Sequence, residues 1–282
     1  MRYLDPKADL TFKHVFGEHP DLVMSLLNAL LPLEEDEEIT HIEYLPLEMV
    51  PDNPLRKNSI VDVRCKDKLG RQFIVEMQMI WSPEFKQRVL FNASKAYVRQ
   101  LNAGEQYELL QPVYSLNLVN ETFEPGLEDY YHYYKLVHVE HSEKVIDGLH
   151  LIFVELPKFT PNTYTAKKMQ VLWLRYLTEI SQNTREVPQE LLDNPQIKKA
   201  VTALEESAFT DEQLLMYEKF WDTISVEKTL ISSAERKGRE EGREEGKKAQ
   251  NIANARTMKQ LGVTIDIISK TTGLSVDEIE NL

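Results

Sequence analysis

Two carboxylates and an amide stand where a sheet-forming sequence has least use for them. Asp62 falls in the run VDVRCKD, and Glu76 and Gln78 fall in QFIVEMQM, among Phe73, Ile74, Val75, Met77 and Met79. Both runs read as strands joined by a tight turn. Side chains alternate along a strand, so Asp62, Arg64 and Lys66 share one face, while Ile74, Glu76 and Gln78 share a face on the second strand. A symmetric two- or four-residue loop would pair Asp62 with Val75 and leave the acids on opposite faces. A three-residue loop, Lys68-Leu69-Gly70, closes the ladder at Asp67 and Arg71 and sets Asp62 opposite Glu76. The sequence favours this second register, because Asp67 suits the first position of a type I turn and Gly70 the left-handed position that follows it.

Directly opposite residues bring their Cβ atoms within roughly 4.5–5.5 Å, where two carboxylates repel. A divalent cation between them removes that cost. Oxygen ligands, with no histidine or thiolate nearby in sequence, point to a hard ion: Mg²⁺, or Mn²⁺ in its place, completed by water. Such an ion activates water and neutralises charge on a phosphoryl oxygen. Acids in neighbouring strands of an arbitrary protein usually face solvent. Here the apolar alternation implies that both faces of the hairpin are covered, and unpaired buried carboxylates are costly.

The flanking elements must hold this hairpin. Asp9 to Phe16 reads as a short helix ended by Gly17, and Pro20 opens a second helix to about Leu31 with Leu22, Leu26, Leu27 and Leu30 as its stripe. EEDEE reads as a solvated loop, Thr40 to Val50 as the first strand, and PDNP as a break before the hairpin. Ser82-Pro83-Glu84 starts a helix that continues until Gly104. PVYSLNLVN, YYKLVHVEH and LIFVELPKF read as further strands, giving an α/β core that ends near Phe159. Beyond it KKMQVLWLRYLTEI, QIKKAVTALEES and DEQLLMYEKFWDTI are amphipathic helices, with Trp173 and Trp221 as core anchors. The domain reading is therefore 1–160 as the core, 161–235 as a helical extension, 236–250 as a charged glycine-repeat linker or helix, and 251–282 as a small helix-turn-helix-like module.

The chain has 282 residues, a net charge of −13 and one cysteine. A single cysteine excludes an internal disulfide framework and fits a reducing cytoplasm, with Cys65 as a small core residue. No apolar run approaches the roughly 18 residues of a membrane helix, and the N-terminus lacks a signal-peptide hydrophobic region. The acidity argues against coating nucleic acid by electrostatics alone. Residues 51–110, however, carry 10 basic and 7 acidic side chains, a net-positive stretch around the hairpin.

With Asp62 on one strand and Glu76-Met77-Gln78 on the next, the chain resembles the PD-(D/E)XK nucleases, and more specifically the bacterial Rpn family of recombination-promoting, transposase-like nucleases. PKADLTFKHVFG, SIVDVRCKDKLGRQFIVEMQ, FKQRVLFNASKAYVRQLNAGEQY and FVELPKF carry the likeness. The resemblance implies a restriction-endonuclease-like mixed-sheet core flanked by helices and metal-dependent hydrolysis of DNA. It makes Asp62 and Glu76 metal ligands and puts Gln78 at the position of the signature lysine. Glutamine can orient a water but supplies no charge, so the charge must come from the metal or from elsewhere. Arg88 is the best candidate: Arg88, Asn92, Lys95 and Arg99 recur at helical spacing as one polar, basic stripe suited to phosphates, opposite Phe85, Val89, Ala93 and Ala96. Lys13 is a second candidate, with an ion pair to Asp9 as its alternative. Glu48 and Glu155 are further carboxylates whose spacing demands no metal role, and His14, His132 and His138 read as surface or core residues.

In the tail, Gly238, Gly242 and Gly246 form a narrow stripe if helical, either within a flexible charged spacer or as a groove for another helix, such as a second copy of the chain. Thr264, Gly273 and the Ser275/Glu278 capping box then outline two short helices. Asp277, Glu278 and Glu280 would repel phosphates, so this module reads as a protein contact. Against the nuclease stands a non-catalytic scaffold of the same fold, for which the absent lysine and the acidic charge argue.

Overall fold

The computed structural model describes residues 2–49, 59–161 and 168–282. Helix α1 (Asp9–Gly17) buries Phe12, Val15 and Phe16. Helix α2 (Pro20–Leu30) begins at its proline, where the missing N–H is one the first turn leaves unpaired anyway, and it buries Leu22, Leu26, Leu27 and Leu30. The acidic run holds a single 3₁₀ turn, Glu35–Glu37.

A six-stranded mixed sheet follows. Strand β1 (Ile42–Tyr44) is shorter than the sequence suggests; Glu48 and Ile60 beyond it form an isolated bridge, and Val50 and the PDNP break lie outside the described residues. Strands β2 (Val63–Asp67) and β3 (Gln72–Gln78) form the hairpin, and helix α3 (Phe85–Val98) leads to β4 (Val113–Val119). Strands β5 (Tyr131–His138) and β6 (His141–Glu155) complete the order β1-β2-β3-β4-β6-β5. The β3–β4 and β4–β6 pairs are parallel and the others antiparallel. Every residue of β4 is buried, as expected of a central strand covered on both faces. One cover is α1 and α2, whose side chains share a core with Val63, Cys65, Phe73 and Val75. The other is α3, whose Ala93 and Ala96 pack on Ile74 and Val113.

The hairpin closes as its turn residues require. Gly70 adopts φ +85°, a left-handed conformation that a Cβ disfavours. Its N–H donates to Asp67 O at 3.1 Å, and Asp67 N–H donates to Arg71 O at 3.0 Å. The Asp67 carboxylate accepts from the N–H groups of Leu69 and Arg71 and pairs with the Arg71 guanidinium at 2.6 Å, both side chains being buried.

Helices α4 (Lys168–Glu179), α5 (Gln189–Leu192) and α6 (Pro195–Thr202) add Leu172, Trp173, Tyr176, Leu191 and Ile197 to the same core as α1 and α2. Helix α7 (Asp211–Gln260) contains the charged glycine repeat, where the i,i+4 pair Lys237–Glu241 offsets a little of the helix cost of glycine. Two compact units divide the chain at Met1–Ile224 and Ser225–Leu282. In the second, α8 (Ile265–Thr272) and α9 (Val276–Glu280) close a small core of Ala255, Ile268, Leu274 and Ile279. Gly273 ends α8 at φ +73° and the Ser275/Glu278 capping box is formed, whereas Thr264 stands at its N-cap position without a side-chain hydrogen bond. Among the described residues no helix is long and apolar enough to cross a membrane.

A Cβ at position 70 would keep the left-handed strain and meet Gln111 Cγ at 3.2 Å. Gly70→Ala is therefore expected to lower the unfolding free energy by about 1–2 kcal/mol, read as an earlier midpoint in a urea titration at unchanged slope.

Candidate active site

The turn settles which side chains meet. Val63 pairs with Val75, and carrying that register one residue further sets Asp62 opposite Glu76. Asp62 itself lies in a bend immediately before β2 rather than inside the strand. Glu76 is 6 % exposed, on the sheet face covered by α3.

Each acid is tethered by one oxygen. Asp62 Oδ2 accepts from the Met77 N–H at 2.9 Å, while Oδ1 faces Lys13 Nζ at 3.9 Å. Glu76 Oε1 accepts from Asn92 Nδ2 at 2.9 Å, while Oε2 faces Arg88 Nη2 at 3.8 Å. The tethering groups are neutral donors, and the two remaining oxygens have cations only beyond hydrogen-bond length. Burial pushes the Glu76 carboxyl up to about 7, and the charge of Asp62 adds to the rise against the Asn92 hydrogen bond and Arg88. Burial also raises Asp62, opposed by the Met77 N–H and by Lys13, with Asp9 acting in the same sense as burial.

That donor set fits a hard divalent ion. Mg²⁺ needs only one or two carboxylates with water filling its shell, and Asp62 Oδ1 and Glu76 Oε2 are the oxygens left to bind it. Among the described residues no group of three or more His, Cys, Asp or Glu is arranged to hold a metal, so the protein's share would be these two acids.

Arg88, in the first turn of α3, donates to Gln78 Oε1 at 2.5 Å. A full positive charge is thus joined to the residue standing at the lysine position. Gln78 is fixed further by donating Nε2 to the Ile80 carbonyl. Lys13 pairs with Asp9 at 2.6 Å, and its Nζ also stands 3.9 Å from Asp62 Oδ1. Lys95 lies about two turns beyond Arg88 on α3 and Arg99 at the helix's C-cap, with Lys95 Nζ 5.8 Å from the Phe91 ring centroid.

Asn92 departs from its place in the polar stripe. It is 3 % exposed, turned from solvent onto Glu76, and its Oδ1 accepts from Ser59 Oγ. An amide at a helix position that buries Val89, Ala93 and Ala96 around it was the available signal. Glu155 is fully buried, accepting from the N–H groups of Phe123 and Glu124 and pairing with Lys158. His132 lies 3.5 Å from it. Glu48 is exposed, His14 pairs with Glu18, and His138 sits with His141 at the tip of the β5–β6 hairpin.

Residues 6–234 match the family model described as PD-(D/E)XK nuclease family transposase. No curated protein and no solved structure matches the chain.

The raised carboxyl fixes a pH dependence. Between 4.5, its ordinary value, and about 7, Glu76 stays protonated in the folded chain and ionises in the unfolded one. In chelator, stability is therefore expected to fall as pH rises through this window and level off above it, by on the order of 3 kcal/mol. Glu76→Gln should flatten that segment of the pH–stability curve and exceed the wild type in stability at pH ~8, as read by urea unfolding.

Proposed function

The chain belongs to the PD-(D/E)XK nuclease family transposases, and on that premise we propose that it is a metal-dependent endonuclease hydrolysing DNA phosphodiester bonds. The observation that carries the proposal is the opposed Asp62–Glu76 pair, each acid held by one oxygen with the other open. A divalent cation, Mg²⁺ or Mn²⁺, supplies a Lewis acid for the water and the phosphoryl oxygens when bound there. The chain's own residues do the rest. Met77 N–H and Asn92 each hold one oxygen of the two carboxylates, leaving Oδ1 of Asp62 and Oε2 of Glu76 as the oxygens that would bind the cation.

Gln78 Oε1 keeps one lone pair beyond its bond to Arg88, enough to accept from the attacking water and aim it. Arg88 brings the charge that a lysine would carry on the strand, and its remaining N–H groups can bind a non-bridging phosphate oxygen. Lys13, anchored by Asp9, screens Asp62 before the cation enters. The competing scaffold reading keeps the same fold and requires neither metal binding nor cleavage.

Purified protein incubated with supercoiled plasmid is expected to nick it only with Mg²⁺ or Mn²⁺. Asp62→Ala and Glu76→Ala should each lose about 100-fold or more, the loss of several kcal/mol of transition-state charge stabilisation. Mg²⁺ should raise the melting temperature of the wild type at pH ~8 and leave that of Asp62→Ala unchanged. Equal nicking by wild type and Asp62→Ala, or no metal effect on either measurement, would sink the proposal.

A further inference from the structure

Helix α3 does more than carry Arg88 and Asn92. Its inner side is buried on the sheet, yet among the described residues its outer side exposes apolar surface: Phe91 is 43 % and Val98 65 % exposed. An isolated exposed apolar residue needs no explanation, but Phe91 and Val98, seven residues apart, share one line along the helix, beside cations. Arg88, Phe91, Lys95 and Arg99 follow at helical spacing, and Lys95 Nζ stands 5.8 Å from the Phe91 centroid. From residue 85 to 104 the chain carries Lys86, Arg88, Lys95 and Arg99 and no acid, within a protein of net charge −13. The row starts at the candidate active site, since Arg88 faces Glu76 and holds Gln78, and it runs about 16 Å along the helix to Arg99.

We propose that this face of α3 is a track for unpaired DNA, in which Phe91 stacks on a base while Arg88, Lys95 and Arg99 follow the phosphates. The proposal rests on the nuclease reading and narrows its substrate to DNA with a single-stranded segment at the cut. The chemistry discriminates. Duplex DNA hides its base faces in the stack and offers a half-exposed phenyl ring nothing apolar on the outside of the helix. An unpaired strand presents a π-face with every base and charged phosphates between them, the pattern of ring and cations that α3 displays. A second copy of the chain would also cover apolar surface, but two such faces would bring like charges together at Arg88, Lys95 and Arg99.

The test reads binding rather than cleavage. Full-length protein in chelator is titrated into a fluorescently labelled mixed-sequence 20-mer, alone and annealed to its complement, and anisotropy is followed at several salt concentrations. The wild type is expected to bind the single strand at least about 5-fold tighter than the duplex, the value of one stacked base. Phe91→Ala should weaken single-strand binding about 5- to 100-fold and duplex binding less than about 2-fold, and Phe91→Trp should restore the single-strand affinity. Lys95→Gln should reduce the salt slope for the single strand by about 0.7, one phosphate contact.

An unchanged affinity in Phe91→Ala, or an equal loss on both DNAs, overturns the proposal. So does a Phe91→Ala variant whose only change is a smaller size in solution, which would assign the face to a contact between copies. Because no cleavage is needed, single-strand preference lost in Phe91→Ala supports the track even where plasmid nicking fails. Nicking that survives while Phe91→Ala binds normally removes the track alone.

Discussion

A hairpin turn of odd length forces two negative charges to the same side of a sheet. Everything in the candidate site depends on that constraint. Were the turn one residue shorter or longer, the period of two along each strand would send Asp62 to the face packed by α1 and α2 and leave Glu76 under α3. The turn is secured beyond what a hairpin needs. Gly70 supplies the left-handed conformation, and the buried Asp67–Arg71 pair binds both ends of the loop, with Arg71 reaching on to the Glu37 carbonyl. Stability invested in the loop is transmitted as register to the far end of the strands.

Repulsion between the acids is managed by the chain in an asymmetric way. Neutral donors, a backbone N–H and a side-chain amide, take one oxygen from each carboxylate, and cations stay beyond contact with the other. A close ion pair would quench the charge and compete with any ligand. Neutral tethers fix direction while leaving the electrostatic demand unsatisfied. The buried amide of Asn92 is itself held through its oxygen by Ser59, so the tether belongs to a short chain of hydrogen bonds rather than one contact.

The parts of this arrangement with a local signal were legible in the sequence. Asp67 and Gly70 announced the turn and hence the pairing of the acids, and the spacing of Phe85, Val89, Ala93 and Ala96 announced the buried face of α3. Asn92 was misplaced because periodicity records polarity, not whether a polar group meets a partner inside. The early part of β6, from about Ser142 to His150, was hidden for a different reason. Its outer part is exposed on both faces, so no alternation marks it. Likewise the glycines disguised the continuity of α7, which charge pairs and length sustain. Asp62 read as a strand residue but lies in a bend, and only the bend lets its carboxylate reach back to the Met77 N–H across the hairpin.

The substitution of an amide for lysine on β3, with the guanidinium of Arg88 bonded to it, moves a positive charge from one element to another. A lysine on the strand would be installed the moment the hairpin formed. A cation borne by the first turn of α3 is present only when that helix is seated on the sheet. The full complement of charges therefore reports on the docking of a separate segment: a molecule with its acids in register but its helix lifted would own an anionic cleft with Lys13 alone set against it. Assembly of the two halves, rather than the folding of either, becomes the event that switches the electrostatics of the cleft.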